Sequence, residues 1–277
     1  MPRDIPVGNG KLLVCFDKNY RIRDLYYPHV GQENHVSGNI FRFGVSAAGR
    51  FSWIGEDWKK ELVYEEDTLV TRVSLYHQGL GLLLACRDAV DFHENVFLRE
   101  VTVENLSAEK RRIELFFCQD FDISGNSVGD TAAYDPEARA VVHYKGSRYF
   151  LVSGLTDQSE QISQFAVGLK KVSGREGTYK DAEDGALSGN TIAQGSVDSV
   201  LSLALELEGH GSGKACYWIC AAESWTEVRR MNALVRHKHP AVLINRTGDY
   251  WRLWARKESA PDSHVPAEIQ NLYRRSL

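Results

Sequence analysis

The chain of 277 residues lacks an excess of charge of either sign. Its 33 Lys and Arg stand against 37 Asp and Glu, a formal net charge of -4. No basic face is left to attract nucleic acid or an anionic membrane, so neither is expected as a partner. Also missing is any apolar run long enough to cross a bilayer, and "MPRDIPVGNGK" has no apolar core of the signal-peptide kind. The cytoplasm is the expected location. There is no disulfide pattern either: the five cysteines are odd in number, and Cys15, Cys86 and Cys118 sit inside apolar runs. Cys216 and Cys220 of "CYWIC" would lie roughly 13 Å apart on an extended strand, beyond the reach of a bridge. Reduced core thiols are expected. Repeats and low-complexity linkers are absent. The histidines at 29, 35, 77, 93 and 143 are dispersed without ligand spacing, so no zinc site and no cofactor is expected.

What the sequence does contain is a long region of period two. In "VLSLALEL" the leucines at 201, 203, 205 and 207 alternate with smaller or polar residues, as on a strand with one buried face. Phe97, Val101 and Val103 alternate with polar neighbours, and Ile113, Leu115, Phe117, Phe121 and Ile123 are predicted to share one face of a long, bent strand. "SAAGR", "YHQGLG", "NLSAEKR" and "GHGSGK" read as turns between such strands. Two large antiparallel sheets face to face are expected.

After Glu223 the period becomes 3.6. Ser224 followed by Glu227 is a capping box, with Val228, Met231, Leu234 and Val235 as the stripe behind it. "HKH" at 237–239 suits a helix C-terminus. Pro240 opens a second predicted helix with Leu243, Tyr250, Trp251 and Trp254 on one side. Pro266 opens a third, with Ile269, Leu272, Tyr273 and Leu277 as an apolar stripe that the sequence leaves uncovered.

Catalytic motifs are mostly mimics. "GNSVG" fits a nucleophile elbow but is followed by a turn rather than a helix. "GHGSGKA" has Ala215 where a phosphate loop needs Ser or Thr. "DFDISG" copies half a calcium loop, yet Thr131 stands where the bidentate glutamate belongs. Asp120 with Asp122, or Glu183 with Asp184, are acid pairs of the type glycosidic chemistry uses. The stretch "RDLYYPHVGQENH", Arg23 to His35, gathers groups that stack on and hydrogen-bond to sugars, and reads either as a structured connection or as a ligand-facing loop.

That loop, with "QDFDISGNSVGDTAAYDPEARAVVHYKGSRYFLVSG" and "DGALSGNTIAQGSVDSV", resembles the N-terminal region of bacterial and archaeal glucoamylase-like proteins of glycoside hydrolase family 15. The resemblance implies a mainly β fold, a large two-sheet antiparallel supersandwich over residues 1–223. Residues 224–277 would be a helical linker and the first residues of an (α/α)6 catalytic barrel that the chain does not contain. The implied reaction is inverting hydrolysis of an α-glucan or α-glucoside by two glutamic acids of the barrel, roughly 6.5–9.5 Å apart. No catalytic residue of this chain is therefore expected. The barrel would be its intramolecular partner, with Trp251 and Trp254 at the interface. The same resemblance points to the Arg23–His35 loop near the substrate cleft, with Tyr26, Tyr27, His29 and Glu33 as substrate-binding residues. Two other readings stay open: a carbohydrate-binding module, and a mutarotase-like epimerase using His77, His93 or His143 with a carboxylate.

Overall fold

The computed structural model describes residues 5–170, 176–258, 266 and 269. The first strands are β1 (Ile5–Gly8), β2 (Leu13–Phe16), β3 (Ile22–Tyr26), β4 (Arg42–Ala47), β5 (Arg50–Trp53) and β6 (Lys59–Tyr64). β7 (Thr71–His77), β8 (Leu82–Val90), β9 (Val96–Asn105), β10 (Arg111–Gln119), β11 (Asp130–Asp135) and β12 (Ala140–Lys145) follow. After β13 (Arg148–Thr156) and β14 (Gln164–Leu169) comes a single helical turn, α1 (Thr178–Asp181). β15 (Ile192–Gly195), β16 (Val197–Leu207) and β17 (Ser212–Ala222) precede two long helices, α2 (Trp225–Lys238) and α3 (Pro240–Glu258).

Among the described residues all strand pairings are antiparallel. The nine-stranded sheet runs β15-β11-β12-β13-β17-β9-β8-β7-β6, the five-stranded sheet β14-β16-β10-β4-β5, and β1-β2-β3 forms a small third sheet. The period of two becomes literal on β17: Ala215, Tyr217, Ile219 and Ala221 face the core between the sheets, while Cys216, Trp218, Cys220 and Ala222 face the other way. Across the interior Phe117 of β10 stacks on Tyr217 of β17 at 4.4 Å and on Phe43 of β4 at 4.8 Å. All five cysteines are buried, and none is bridged in a disulfide.

The outer face of the nine-stranded sheet is covered by the helices. Ser224 caps α2 by accepting from Glu227 N at 3.2 Å, and Val228, Met231 and Val235 pack with Leu243 and Ile244 of α3 over Trp218. On α3 the buried side chains include Leu243, Ile244, Thr247 and Ala255; Trp251 and Trp254 are half-buried, and Val242 and Leu253 face solvent. Tyr250, predicted on the packed side, is partly exposed and stacks on Phe92 at 4.4 Å. The predicted third helix lies outside the described residues except for Pro266 and Ile269, and Ile269 is exposed. Among the described residues no helix is long and apolar enough to cross a membrane.

Two turns differ from expectation. "NLSAEKR" and "GHGSGK" do not close hairpins within one sheet: each carries the chain from one sheet to the other, β9 to β10 and β16 to β17. They run side by side, with Asn105 Nδ2 donating to Glu109 O at 2.8 Å and to Glu208 O at 2.9 Å. A Cβ on Gly209 would fall 1.9 Å from Ala108 O, so only glycine allows the approach. The long strand predicted through Ile123 ends instead at Gln119. Phe121 and Ile123 remain in the core, but their backbone is held by loops: Asp122 N donates to His35 O at 2.8 Å and Ile123 N to Asp130 Oδ2 at 3.2 Å.

Candidate functional site

Of the Arg23–His35 stretch, Arg23 to Tyr26 belong to β3, and the remainder is a loop that leaves the strand at one end of the sandwich and folds against the Ile123–Gly125 turn and the β12–β13 hairpin. Asn34 fixes its return: its Oδ1 accepts from Leu25 N at 3.3 Å and Val36 N at 3.1 Å, and its Nδ2 donates to Asp24 at 2.8 Å. His35 is fully buried. Its Nε2 donates to Tyr27 O at 2.6 Å and its Nδ1 accepts from Ser124 N at 3.0 Å, so the network fixes the neutral tautomer. Burial lowers its pKa, in keeping with that form.

The four residues singled out from the sequence separate into two groups. Tyr26 and Tyr27 are buried; Tyr27 meets Phe150 edge-on at 6.2 Å, and burial raises its hydroxyl to about 12. Neither ring offers an open stacking face. His29 and Glu33 reach the surface, with His29 Nε2 3.9 Å from Glu33 Oε1. Glu33 is clasped by Arg148, which donates Nε to Oε2 at 2.9 Å and Nη2 to Oε1 at 3.0 Å. That hydrogen bonding holds the Glu33 carboxyl below the usual range. Arg148 Nη1 also stands 3.9 Å from Glu223 Oε1, beside the start of α2. The set thus combines an exposed imidazole with a half-buried ionised carboxylate and a half-buried guanidinium. It can accept from and donate to sugar hydroxyls; Glu33 cannot act as a general acid near neutral pH. Arg148 and Glu223 were invisible to sequence reasoning, because Arg148 lies 115 residues from Glu33.

The other acids are engaged in structure. Lys170, itself 1% exposed, donates to Asp120, to Asp122 Oδ1 at 3.0 Å and to Phe121 O at 2.6 Å, so an ammonium sits where the calcium reading placed a metal. Among the described residues no group of three or more His, Cys, Asp or Glu is placed to hold a metal. Glu183 accepts from Trp53 Nε1 at 3.3 Å and from Lys180 Nζ at 3.2 Å, while Asp184 accepts from Ala186 N at 2.9 Å. Asp198 is raised to about 6 by burial, as an acid catalyst would be, but it is 1% exposed and accepts from Thr178 N at 2.7 Å. Nor do the histidines converge. His77 is the last residue of β7, paired with Leu82 at the start of β8, and His93 lies in the turn after β8, so the two stand at opposite ends of that strand. His143 is buried, donates to Ser199 Oγ at 2.7 Å and is pushed down to about 3 by burial.

No known family profile matches the chain. In sequence it is 26% identical over 203 residues to an uncharacterised glycosyl hydrolase of Methanocaldococcus jannaschii; the match takes in 73% of this chain and 31% of that protein. The chain thus spans about a third of the length of that curated relative. In structure it is similar to a bacterial glucoamylase complexed with acarbose, with a TM-score of 0.70 and 13% identity over 89% of this chain and 35% of that one. A protein assigned as a kojibiose phosphorylase, from the human microbiome, gives a TM-score of 0.56 and 9% identity over 89% of this chain and 35% of that one. The fold is therefore shared with these larger carbohydrate-active proteins, and the relatives of the chain are glycoside-hydrolase-related.

Proposed function

We propose that the chain is the non-catalytic N-terminal β domain of an inverting α-glucoside hydrolase of the glucoamylase-like family 15 type. The observation that carries this reading is the partial span: a glycosyl hydrolase relative and a glucoamylase of the same fold each extend well beyond the matched part. The engaged state of the acid pairs supports it, since neither Asp120 with Asp122 nor Glu183 with Asp184 stands free to flank a glycosidic bond. In this reading residues 1–223 are the sandwich, 224–277 lead into an (α/α)6 barrel, and half-buried Trp251 and Trp254 adjoin it. The Arg23–His35 loop lies toward the substrate cleft. There His29 and Glu33, braced by Arg148, hydrogen-bond a distal glucosyl unit, while Tyr26 and Tyr27 shape the loop from within. Such remote contacts position a scissile bond without acting on it. Its five buried, unbridged cysteines suit the reducing cytoplasm, where we place the protein.

Incubation with maltose and with pure α-glucose tests this. The isolated chain is expected to release no glucose and to leave mutarotation at its uncatalysed rate. Glucose release overturns the proposal, and faster mutarotation replaces it with an epimerase. In the full-length hydrolase, Glu33→Gln is expected to raise KM with little change in kcat, the signature of lost uniform binding.

A further inference from the structure

Away from the loop end, a cleft of about 330 Å³ opens between α2 and the turn joining β11 to β12. Three arginines line it, Arg139, Arg229 and Arg236, together with Glu137, Ala138 and Asn232. The turn is rigid. Asp135 Oδ1 accepts from Glu137 N at 3.0 Å and Ala138 N at 3.1 Å, placing Arg139 in the left-handed region at φ +52°. Arg139 O in turn accepts from Ser153 Oγ at 2.7 Å and from Arg236 Nη2 at 3.3 Å.

Arg236 differs from its two neighbours. Arg229 pairs with Asp135 at 3.2 Å and Glu137 at 2.5 Å, and Arg139 with Glu160 at 3.4 Å. Arg236 donates only to neutral oxygens: Glu160 O at 2.8 Å, Ser153 Oγ at 2.8 Å and Arg139 O. Its guanidinium lies 5.2 Å from the centre of the Trp218 ring, and its Nε has no hydrogen-bond partner. Burial, and then the like charge of Arg139, depress its pKa, though a guanidinium stays charged at any working pH. A half-buried cation without a carboxylate is costly, and an anion in the cleft relieves that cost. The carboxylates of Glu137 and Glu160 are 79% and 84% exposed, so water competes for them and they yield readily to a ligand.

We propose that this cleft binds a phosphate-class oxyanion, held by Arg139, Arg229 and Arg236. Planar guanidinium forks suit the tetrahedral oxyanion, and the fixed turn sets one of the three in advance. Inorganic phosphate and the phosphoryl group of a small metabolite share this chemistry.

Calorimetric titration of the full chain with inorganic phosphate, at constant ionic strength against chloride, is expected to show saturable binding at one site. Arg229→Gln, a change at the protein surface, is expected to weaken it by at least about tenfold. Arg139→Gln serves the same purpose should that variant fail to fold. Glucose 1-phosphate binding at least about tenfold tighter than phosphate assigns the site to a phosphorylated sugar; equal affinity assigns it to the free ion. Phosphate no more effective than chloride, or wild-type affinity in both arginine variants, overturns the proposal.

Discussion

The two faces of the nine-stranded sheet are buried by different means. Between the sheets the contacts are aromatic and aliphatic, and the buried charges of Asp88 and Arg99 pair with each other. Asp88 accepts from Tyr20 at 2.5 Å, Thr71 at 2.8 Å and Arg99 at 2.6 Å, with the Arg99 guanidinium 4.2 Å from the centre of the Tyr20 ring. On the outer face the helices add an apolar stripe but are also tied down by charge: Arg246 grips Asp91 at 2.9 and 2.7 Å, Arg252 reaches Glu65 at 3.0 Å, and Arg230 reaches Glu94 at 2.9 Å. A sheet-on-sheet interface needs only matched apolar faces, whereas two helices on a broad sheet have many sites to rest on. Charged pairs at the sheet's loops select one of them.

The comparison is broken most severely at Asp88. Asp88→Ala is expected to cost about 3–5 kcal/mol in denaturant unfolding, because Arg99, 3% exposed, is left with an unpaired buried charge. The matching change on the outer face, Asp91→Ala, is expected to cost less, about 1.5–3 kcal/mol, since Arg246 is 28% exposed and can turn to water. Equal losses would show that the two faces are not distinguished by solvent access. Smaller still is Ser224→Ala, which removes the cap of α2; about 1 kcal/mol is expected, read as a lowered unfolding midpoint.

The smallest effect at neutral pH grows as the solution is acidified. His143 has a folded pKa of about 3, whereas an unfolded histidine protonates near 6.5. The unfolded chain therefore takes up a proton that the fold refuses, and stability present above about pH 6.5 is lost as pH falls toward 3, by about 1.4 kcal/mol per unit. Buried His35 acts with the same sign. Asp198 acts with the opposite sign between about 4 and 6, because its folded pKa is the raised one. His143→Gln should reduce the wild-type slope by one proton's worth, and an unchanged slope would place the titration elsewhere.

Much of the fold was legible. The alternation of Leu201 to Leu207 and the change of period at Ser224 are local signals, and local signals define strands and helices. Phe121 and Ile123 misled because an apolar alternation looks the same on a strand as on a loop pinned by distant donors. At the loop end, composition marked Tyr26, Tyr27, His29 and Glu33 alike, yet the fold buries the first two, exposes His29 and leaves Glu33 half-buried against Arg148. The agents responsible, Phe150 and Arg148, lie more than a hundred residues away.

By itself the sequence determined which segments are extended, which are helical and which face of each is apolar, because side-chain period and capping chemistry act over a few residues. Only the tertiary structure decided that two turns cross between sheets, that Lys170 neutralises Asp120 and Asp122, and that Arg236 lacks a carboxylate. A buried charge must find its partner in space, and its energy depends on distance and desolvation, neither of which is encoded in spacing along the chain.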